Sequence, residues 1–232
     1  MFWTIIFSGS VQCLKVYVSR DVFMAKLYFL GGENIAKRDS KVINEAAFND
    51  AGEAPSVMVF SWARTLFDQK RGKKLVEYFK SLGAGSVEFA EYNANFGVFA
   101  EKIEKSDLIY LPGGLASVLV ERLKSKSIDR LLHSYGGIVV GRSAGALALG
   151  KKCVVTKHGS RVKSVLIDGI GLVNFSMKAH YTPSKDYWLK RFSVKEKIYA
   201  IAERSALVYS DGVMSFIGDV FLFQNGKKKR AG

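Results

Sequence analysis

From residue 24 onward, apolar positions along the chain fall into two alternating patterns. Short apolar runs rich in β-branched and aromatic residues cover 26–30, 56–60, 86–89, 108–111, 137–140 and 207–209. Between them, apolar residues recur at helical spacing over 40–49, 71–82, 96–105, 115–135 and 144–149. Strand and helix taken in turn predict an α/β fold, a mostly parallel sheet with helices on both faces in a three-layer sandwich. The last two runs, 212–218 and 220–224, flank Gly218-Asp219 and predict a closing β-hairpin. In open α/β sheets the chemistry gathers at the carboxyl ends of the strands. That rule directs attention to four loops, at 31–32, 61–65, 112–115 and 141–146.

Length and composition narrow the picture. The chain has 232 residues, of which 48% are hydrophobic and 24% charged, enough for one substantial core. A single catalytic α/β domain is expected over 24–226, with a basic tail at 227–232. Residues 1–23 are apolar but interrupted by Ser8, Gly9, Ser10, Gln12 and Lys15, and no basic segment precedes them. They read as an N-terminal extension, either an added edge strand or an upstream extension of the reading frame, rather than a membrane span or signal peptide. The two cysteines, Cys13 and Cys153, form neither a disulfide framework nor a metal-ligand spacing. A cytoplasmic setting is therefore expected, without a metal or other cofactor.

The net charge is +14. Much of the excess sits in short clusters: Lys70-Arg71-Gly72-Lys73-Lys74, then Arg122, Lys124 and Lys126, then Lys151-Lys152, and finally 227–230. Such runs read first as solvated helix faces and a basic tail. A nucleic-acid footprint is the sharper alternative, but no nucleic-acid-binding motif accompanies it. No membrane partner is expected, nor nucleic acid, and a homodimer stays open.

The chemistry centres on Gly141-Arg142-Ser143-Ala144-Gly145, a G-x-S-x-G sequence between a buried β run and a small-residue helix start. On a sharp strand-to-helix turn this pattern exposes a nucleophilic serine, and the Ala144 amide at the helix start is free to stabilise an oxyanion. Ser143 needs a base, and three histidines exist. His133 lies on the predicted helix 115–135 and reads as a surface or capping residue, and His158 sits in a polar turn. His180, in Ala179-His180-Tyr181-Thr182-Pro183, ends a predicted strand and is the best placed of the three. The base in turn needs an orienting carboxylate. Asp168, Asp186, Glu196, Glu203 and Asp211 all lie downstream of the serine, and Glu203 stands out between two apolar segments, where a partly buried acid is expected.

The ordered set Leu111-Pro112-Gly113-Gly114, Gly141 to Ala146, Gly169-Ile170-Gly171-Leu172-Val173, His180-Tyr181 and Ala200-Ile201-Ala202-Glu203 resembles the peptidase E family of serine peptidases, which includes aspartyl dipeptidase and cyanophycinase. The resemblance runs from Met24 to about Gln224. It implies a flavodoxin-like, class I glutamine amidotransferase-like fold with serine replacing the nucleophilic cysteine. It also implies an acyl-enzyme on Ser143, His180 as proton carrier, Glu203 as its orienter, and an oxyanion hole from the Gly114 and Ala144 amides. Small peptides, with a preference for N-terminal aspartate, would be the substrates; a cyanophycinase-like hydrolase of aspartate-rich peptides or a catalytically silent binding relative are the alternatives. Two departures bear on specificity. Leu115-Ala116 follows the glycine pair where the family carries Asn, often followed by Thr. After His180, Lys185, Lys190 and Arg191 stand where acid-binding members have arginines. Arg142, Leu115, Lys185 and Arg191 are therefore the candidate substrate-binding residues.

Overall fold

The structure, a computed structural model, describes residues 25–64, 68–156 and 164–231; the extension at 1–23 and His158 lie outside the described residues. The first half alternates as the pattern predicts: β1 (Lys26–Leu30), α1 (Lys41–Asp50), β2 (Ser56–Val59), α2 (Gln69–Ser81), β3 (Ser86–Phe89), α3 (Phe96–Glu104) and β4 (Leu108–Leu111). Next come α4 (Ala116–Ser125), α5 (Ile128–His133), β5 (Ile138–Arg142) and α6 (Ala144–Leu149). The second half is richer in strands: β6 (Lys152–Val155), β7 (Val165–Asp168), β8 (Ser176–Lys178), a 3-10 turn at Pro183–Lys185, α7 (Asp186–Phe192), β9 (Ile198–Ile201), β10 (Ala206–Ser210), β11 (Val213–Ile217), β12 (Val220–Gln224) and β13 (Lys227–Arg230).

Seven strands form the main sheet in the order β11-β10-β1-β5-β4-β2-β3. The five from β1 to β3 are parallel, while β10 and β11 close one side antiparallel. Side chains alternate across it as strand geometry requires. On β1, Tyr28 and Leu30 face one core with α1 and α2, while Leu27 and Phe29 face a second core shared with α3 to α6. That second core also takes Met177, Tyr199 and Ile201 from a second sheet, ordered β13-β12-β9-β8-β6-β7, and Phe175 from the segment leading into β8; Phe29 meets Phe175 with ring centroids 6.1 Å apart.

The second sheet itself, including β6, β7, β9 and β13, is absent from the sequence reading, and three further features depart from it. The helix expected over 115–135 is two helices, because Ser127 takes a left-handed φ of 57° between them. That conformation costs about 1–2 kcal/mol. It lets Ile128 (0% exposed) and Leu132 (1%) join Leu119 and Leu123 in one core, and burying each such side chain stabilises by about 1.5–3 kcal/mol. The burial wins.

The expected hairpin about Gly218-Asp219 is not one. β11 pairs with β10 in the main sheet, whereas β12 pairs with β9 and β13 in the second. The turn therefore carries the chain between sheets, fastened by Ser205 Oγ accepting from Asp219 N at 2.9 Å. Alternation shows that a segment is a strand but not which strand it meets, and the crossing buries Val220 and Phe223 fully. Lastly, most of the run expected as a basic tail is β13, paired along Lys227–Arg230 as an outer strand. Lysines on an edge strand discourage pairing with another chain.

Candidate active site

The carboxyl end of β1 organises the site. Three consecutive residues, Leu30, Gly31 and Gly32, bind three distant segments through their backbones. Ser143 N donates to Leu30 O at 2.9 Å, His180 N to Gly31 O at 2.9 Å, and Arg204 N to Gly32 O at 3.0 Å, while Gly31 N donates to Ser205 O at 3.0 Å. The segments that carry Ser143, His180 and Glu203 are thus held to one short stretch of chain.

Ser143 stands between β5 and α6 with φ 54° and ψ −109°, a conformation that non-glycine residues seldom adopt. Tight packing holds it there. All six residues of α6 are buried, and a Cβ on Gly145 would fall 2.0 Å from Leu111 O, so only glycine lets the helix start this close to β4. The strained turn points Oγ at His180, with Oγ and Nε2 2.6 Å apart. On its other side His180 Nδ1 meets Glu203 Oε1 in a short contact. Ser143, His180 and Glu203 therefore form one continuous hydrogen-bonded chain.

Both partners of the His–Glu contact are open to solvent, at 51% and 55% side-chain exposure. This corrects the expectation of a partly buried Glu203. It sits just past β9, beside Arg204 in a left-handed conformation (φ 57°), and its side chain lies across Gly32. Exposed ion pairs contribute little on their own, so the backbone bonds to residues 31 and 32 supply the alignment. The other downstream acids have partners elsewhere: Asp168 with Lys152, Glu196 with Lys151 and Ser176, Asp186 with Tyr181 and Lys228, and Asp211 with Ser210. His133 is set apart as well, its Nε2 3.0 Å from Ile170 O.

Ser143 and His180 open onto a cavity of about 660 Å³ whose walls include residues from three of the four loops singled out by the strand-end rule, 61–65, 112–115 and 141–146, with Glu33 just past the fourth. Arg142 lines it beside the serine. Lys185 and Arg191 do not: Lys185 ends the 3-10 turn, and Arg191 lies on α7 over the Trp188 ring. Leu115 is 61% exposed at the start of α4 and also stays out of the cavity, while its amide donates to Ala63 O at 2.7 Å. The cations that join Arg142 on the walls are Arg64, Arg71 and Lys74. The sequence reading treated 70–74 as a solvated helix face; it is one, but α2 starts at the cavity's edge. Nothing in a charge run reveals which surface it borders.

Glu33 was missed altogether. It lines the cavity and accepts from Asn44 Nδ2 at 2.8 Å. Burial pushes its carboxyl above the usual carboxylate range, with Arg142 and Asn44 pulling it partway back. The available signal was its position, next to a glycine turn at the end of the first strand. Among the described residues no cluster of three or more His, Cys, Asp or Glu is placed to hold a metal, and no helix is long and apolar enough to cross a membrane.

Comparison with known proteins gives the family and the fold. The sequence model of Peptidase family S51 matches residues 54–217. An uncharacterized peptidase of Listeria monocytogenes, Lmo0363, is 29% identical over 153 residues, 61% of this chain and 73% of that protein. Among solved structures, a peptidase from an acI-B1 Actinobacterium superposes with a TM-score of 0.69 at 19% identity, covering 89% of this chain and 93% of the other. A putative peptidase E protein from L. monocytogenes gives 0.63 at 24% identity, covering 83% and 98%; at these identities the two structures establish a shared fold. With the family match spanning most of the chain, the protein belongs to peptidase family S51 and is a serine-type peptidase.

Proposed function

We propose that this peptidase removes residues from short peptides through an acyl-enzyme on Ser143. The observation that carries the reading is the unbroken Ser143–His180–Glu203 chain at the mouth of the cavity. In this reading His180 Nε2 takes the Ser143 proton as Oγ attacks the scissile carbonyl. Glu203 holds the imidazole with Nδ1 protonated and stabilises the imidazolium that results, without itself taking the proton. The amides of Gly114 and Ala144 receive the carbonyl oxygen as it becomes an oxyanion; losing one such donor costs about 3–4 kcal/mol of transition-state stabilisation in well-studied hydrolases. Collapse of the tetrahedral intermediate breaks the C–N bond, and His180 returns its proton to the leaving amine. Water, deprotonated by the same imidazole, then releases the acyl group and regenerates Ser143.

The cavity's size suits a peptide of a few residues, and Arg64, Arg71, Lys74 and Arg142 on its walls support a preference for acidic peptides, N-terminal aspartate among them. With Lys185 and Arg191 outside the cavity, these four cations would supply that preference. The test is a panel of dipeptides, including Asp-Xaa, together with aspartyl p-nitroanilide, assayed beside Ser143→Ala. Hydrolysis by the wild type and none by the variant is the expected result. Turnover that survives Ser143→Ala would overturn the mechanism.

A further inference from the structure

The cavity runs across the carboxyl edge of the main sheet. Its walls take Ser143 after β5, Gly114 after β4, Arg64 after β2 and Phe89 at the end of β3. These four strands lie side by side in the order β5-β4-β2-β3, so three strand spacings of about 4.8 Å put the far end about 14 Å from the nucleophile. The helix between β2 and β3 is α2, and its Arg71 and Lys74 meet the cavity there, together with the buried Gly72 and Leu75. The four cations on the walls are thus divided. Arg142 directly precedes Ser143, whereas Arg64, Arg71 and Lys74 belong to the stretch from β2 into α2.

The protein's own acids leave the far set largely available. Glu33 is enclosed and bonded to Asn44. Asp68 Oδ2 lies 3.0 Å from Arg71 Nε, on one edge of a guanidinium that carries five N–H donors. Arg64 and Lys74 form no ion pair among the described residues. A peptide that acylates Ser143 through its N-terminal residue has no chain before that residue, so what extends along the cavity is the leaving part. Each extended residue adds about 3.3–3.6 Å, and the long Arg and Lys side chains cover part of the gap. A leaving part of one to three residues therefore ends near α2. Its end is a carboxylate, the group that a guanidinium fork and an ammonium bind best.

Resting on the peptidase reading above, we propose that Arg71 and Lys74, together with Arg64, bind the free C-terminal carboxylate of the substrate and so direct the enzyme to short peptides with an unblocked carboxyl end. These cations are then specificity-determining residues with no part in the proton transfers, and Arg142 is left for the side chain of an N-terminal aspartate.

The experiment measures release of aspartate from Asp-Ala, Asp-Ala-Ala and Asp-Ala-Ala-Ala, each as the free acid and as the C-terminal amide. The enzymes are wild type, Arg71→Gln/Lys74→Gln, Ser143→Ala and a control pair on β13, Lys227→Gln/Lys229→Gln, which removes the same charge away from the cavity. The acid-to-amide ratio of kcat/KM is the readout, because the N-terminal residue is common to both forms and cancels. An exposed charge contact corresponds to about 2- to 5-fold, and two together to about 10-fold. The expected result is that wild type prefers the acid by about 10-fold or more at its best length, mainly through KM. That ratio should fall by about 10-fold in Arg71→Gln/Lys74→Gln and hold in the control pair. A wild type that treats acid and amide alike at every length overturns the proposal and leaves the peptidase reading standing. So does a ratio unchanged in Arg71→Gln/Lys74→Gln, which would assign those cations to another part of the substrate. An equal fall in the control pair also overturns it, since that marks the net charge of the protein. Turnover that persists in Ser143→Ala, or no hydrolysis of any of these peptides by wild type, overturns the peptidase reading and this proposal with it.

Discussion

Gly32→Ala is the sharpest probe of the site, because it adds one carbon at the point where the base and its acid meet. The added Cβ would lie 2.1 Å from Glu203 Oε2 and 2.6 Å from His180 Nδ1, against 3.4–4 Å for ordinary contact. The φ of Gly32 lies outside the left-handed region, so alanine meets no backbone penalty there. Nor can the chain easily swing away, since Gly32 O accepts from Arg204 N and the neighbouring Gly31 O from His180 N. The clash is relieved only by moving the imidazole and the carboxylate, by about 1 Å. Misplacement of about 1 Å costs about 10²-fold in rate, or about 2.7 kcal/mol of activation free energy. The assay is kcat and KM on the best dipeptide, with thermal unfolding to confirm the fold. Gly97→Ala serves as the matched control, where the new Cβ meets only Asn95 Oδ1 at 3.4 Å. The loss should fall on kcat. A folded Gly32→Ala enzyme with wild-type kcat would show that turnover does not depend on the His180–Glu203 contact.

Glu203→Gln should slow turnover less than either Ser143→Ala or His180→Ala, because the acid orients the base and does not react; steady-state rates that rank otherwise would return the orienting role to another acid. Arg71→Ala should raise KM for an Asp-Xaa dipeptide by about 2- to 5-fold, the scale of an exposed charge contact, whereas Lys185→Ala, outside the cavity, should leave it unchanged. Lys178 offers a test of stability. Its ammonium is buried, donates to Ala179 O, and is pushed down to about 8 from an ordinary value of 10.5 by burial first and Lys185 second. Below pH 8 it is charged in both the folded and the unfolded chain, and the full burial cost, about 3 kcal/mol, weighs against folding. Between pH 8 and 10.5 the folded state releases its proton first, so that cost fades as pH rises. Lys178→Met should therefore be about 2–3 kcal/mol more stable in urea unfolding at pH 7, with the advantage closing by about pH 10.5; a gap that stays constant with pH would exclude this account.

Much of the site was legible in the chain because its signals are local. A serine between glycines, after β-branched residues and before a run of small ones, can hardly be anything other than a tight strand-to-helix turn, and Gly145 against Leu111 O is the physical reason. The strand-end rule likewise found three loops that line the cavity, since parallel strands must deliver their following loops to one edge. His180 and Glu203 were reachable through their order relative to Ser143 and their apolar flanks.

What the sequence left undecided was pairing and neighbourhood. Period-two alternation identified β11 and β12 as strands but could not say that they belong to different sheets, because the alternation describes one strand's own faces and not the strand beside it. The cations at 70–74 and 185–191 look alike in composition; only the docking of α2 brings Arg71 and Lys74 to the cavity, while Lys185 and Arg191 stay outside it. Glu33 reads as a loop acid, and becomes a buried carboxylate only when Asn44 from α1 and Tyr78 from α2 close around it. The chain by itself determined the strands of the parallel core and the strand-to-helix elbow that holds Ser143, which depend on contacts within a few residues. The tertiary structure alone decided which charges face the cavity, because that depends on contacts between segments tens of residues apart.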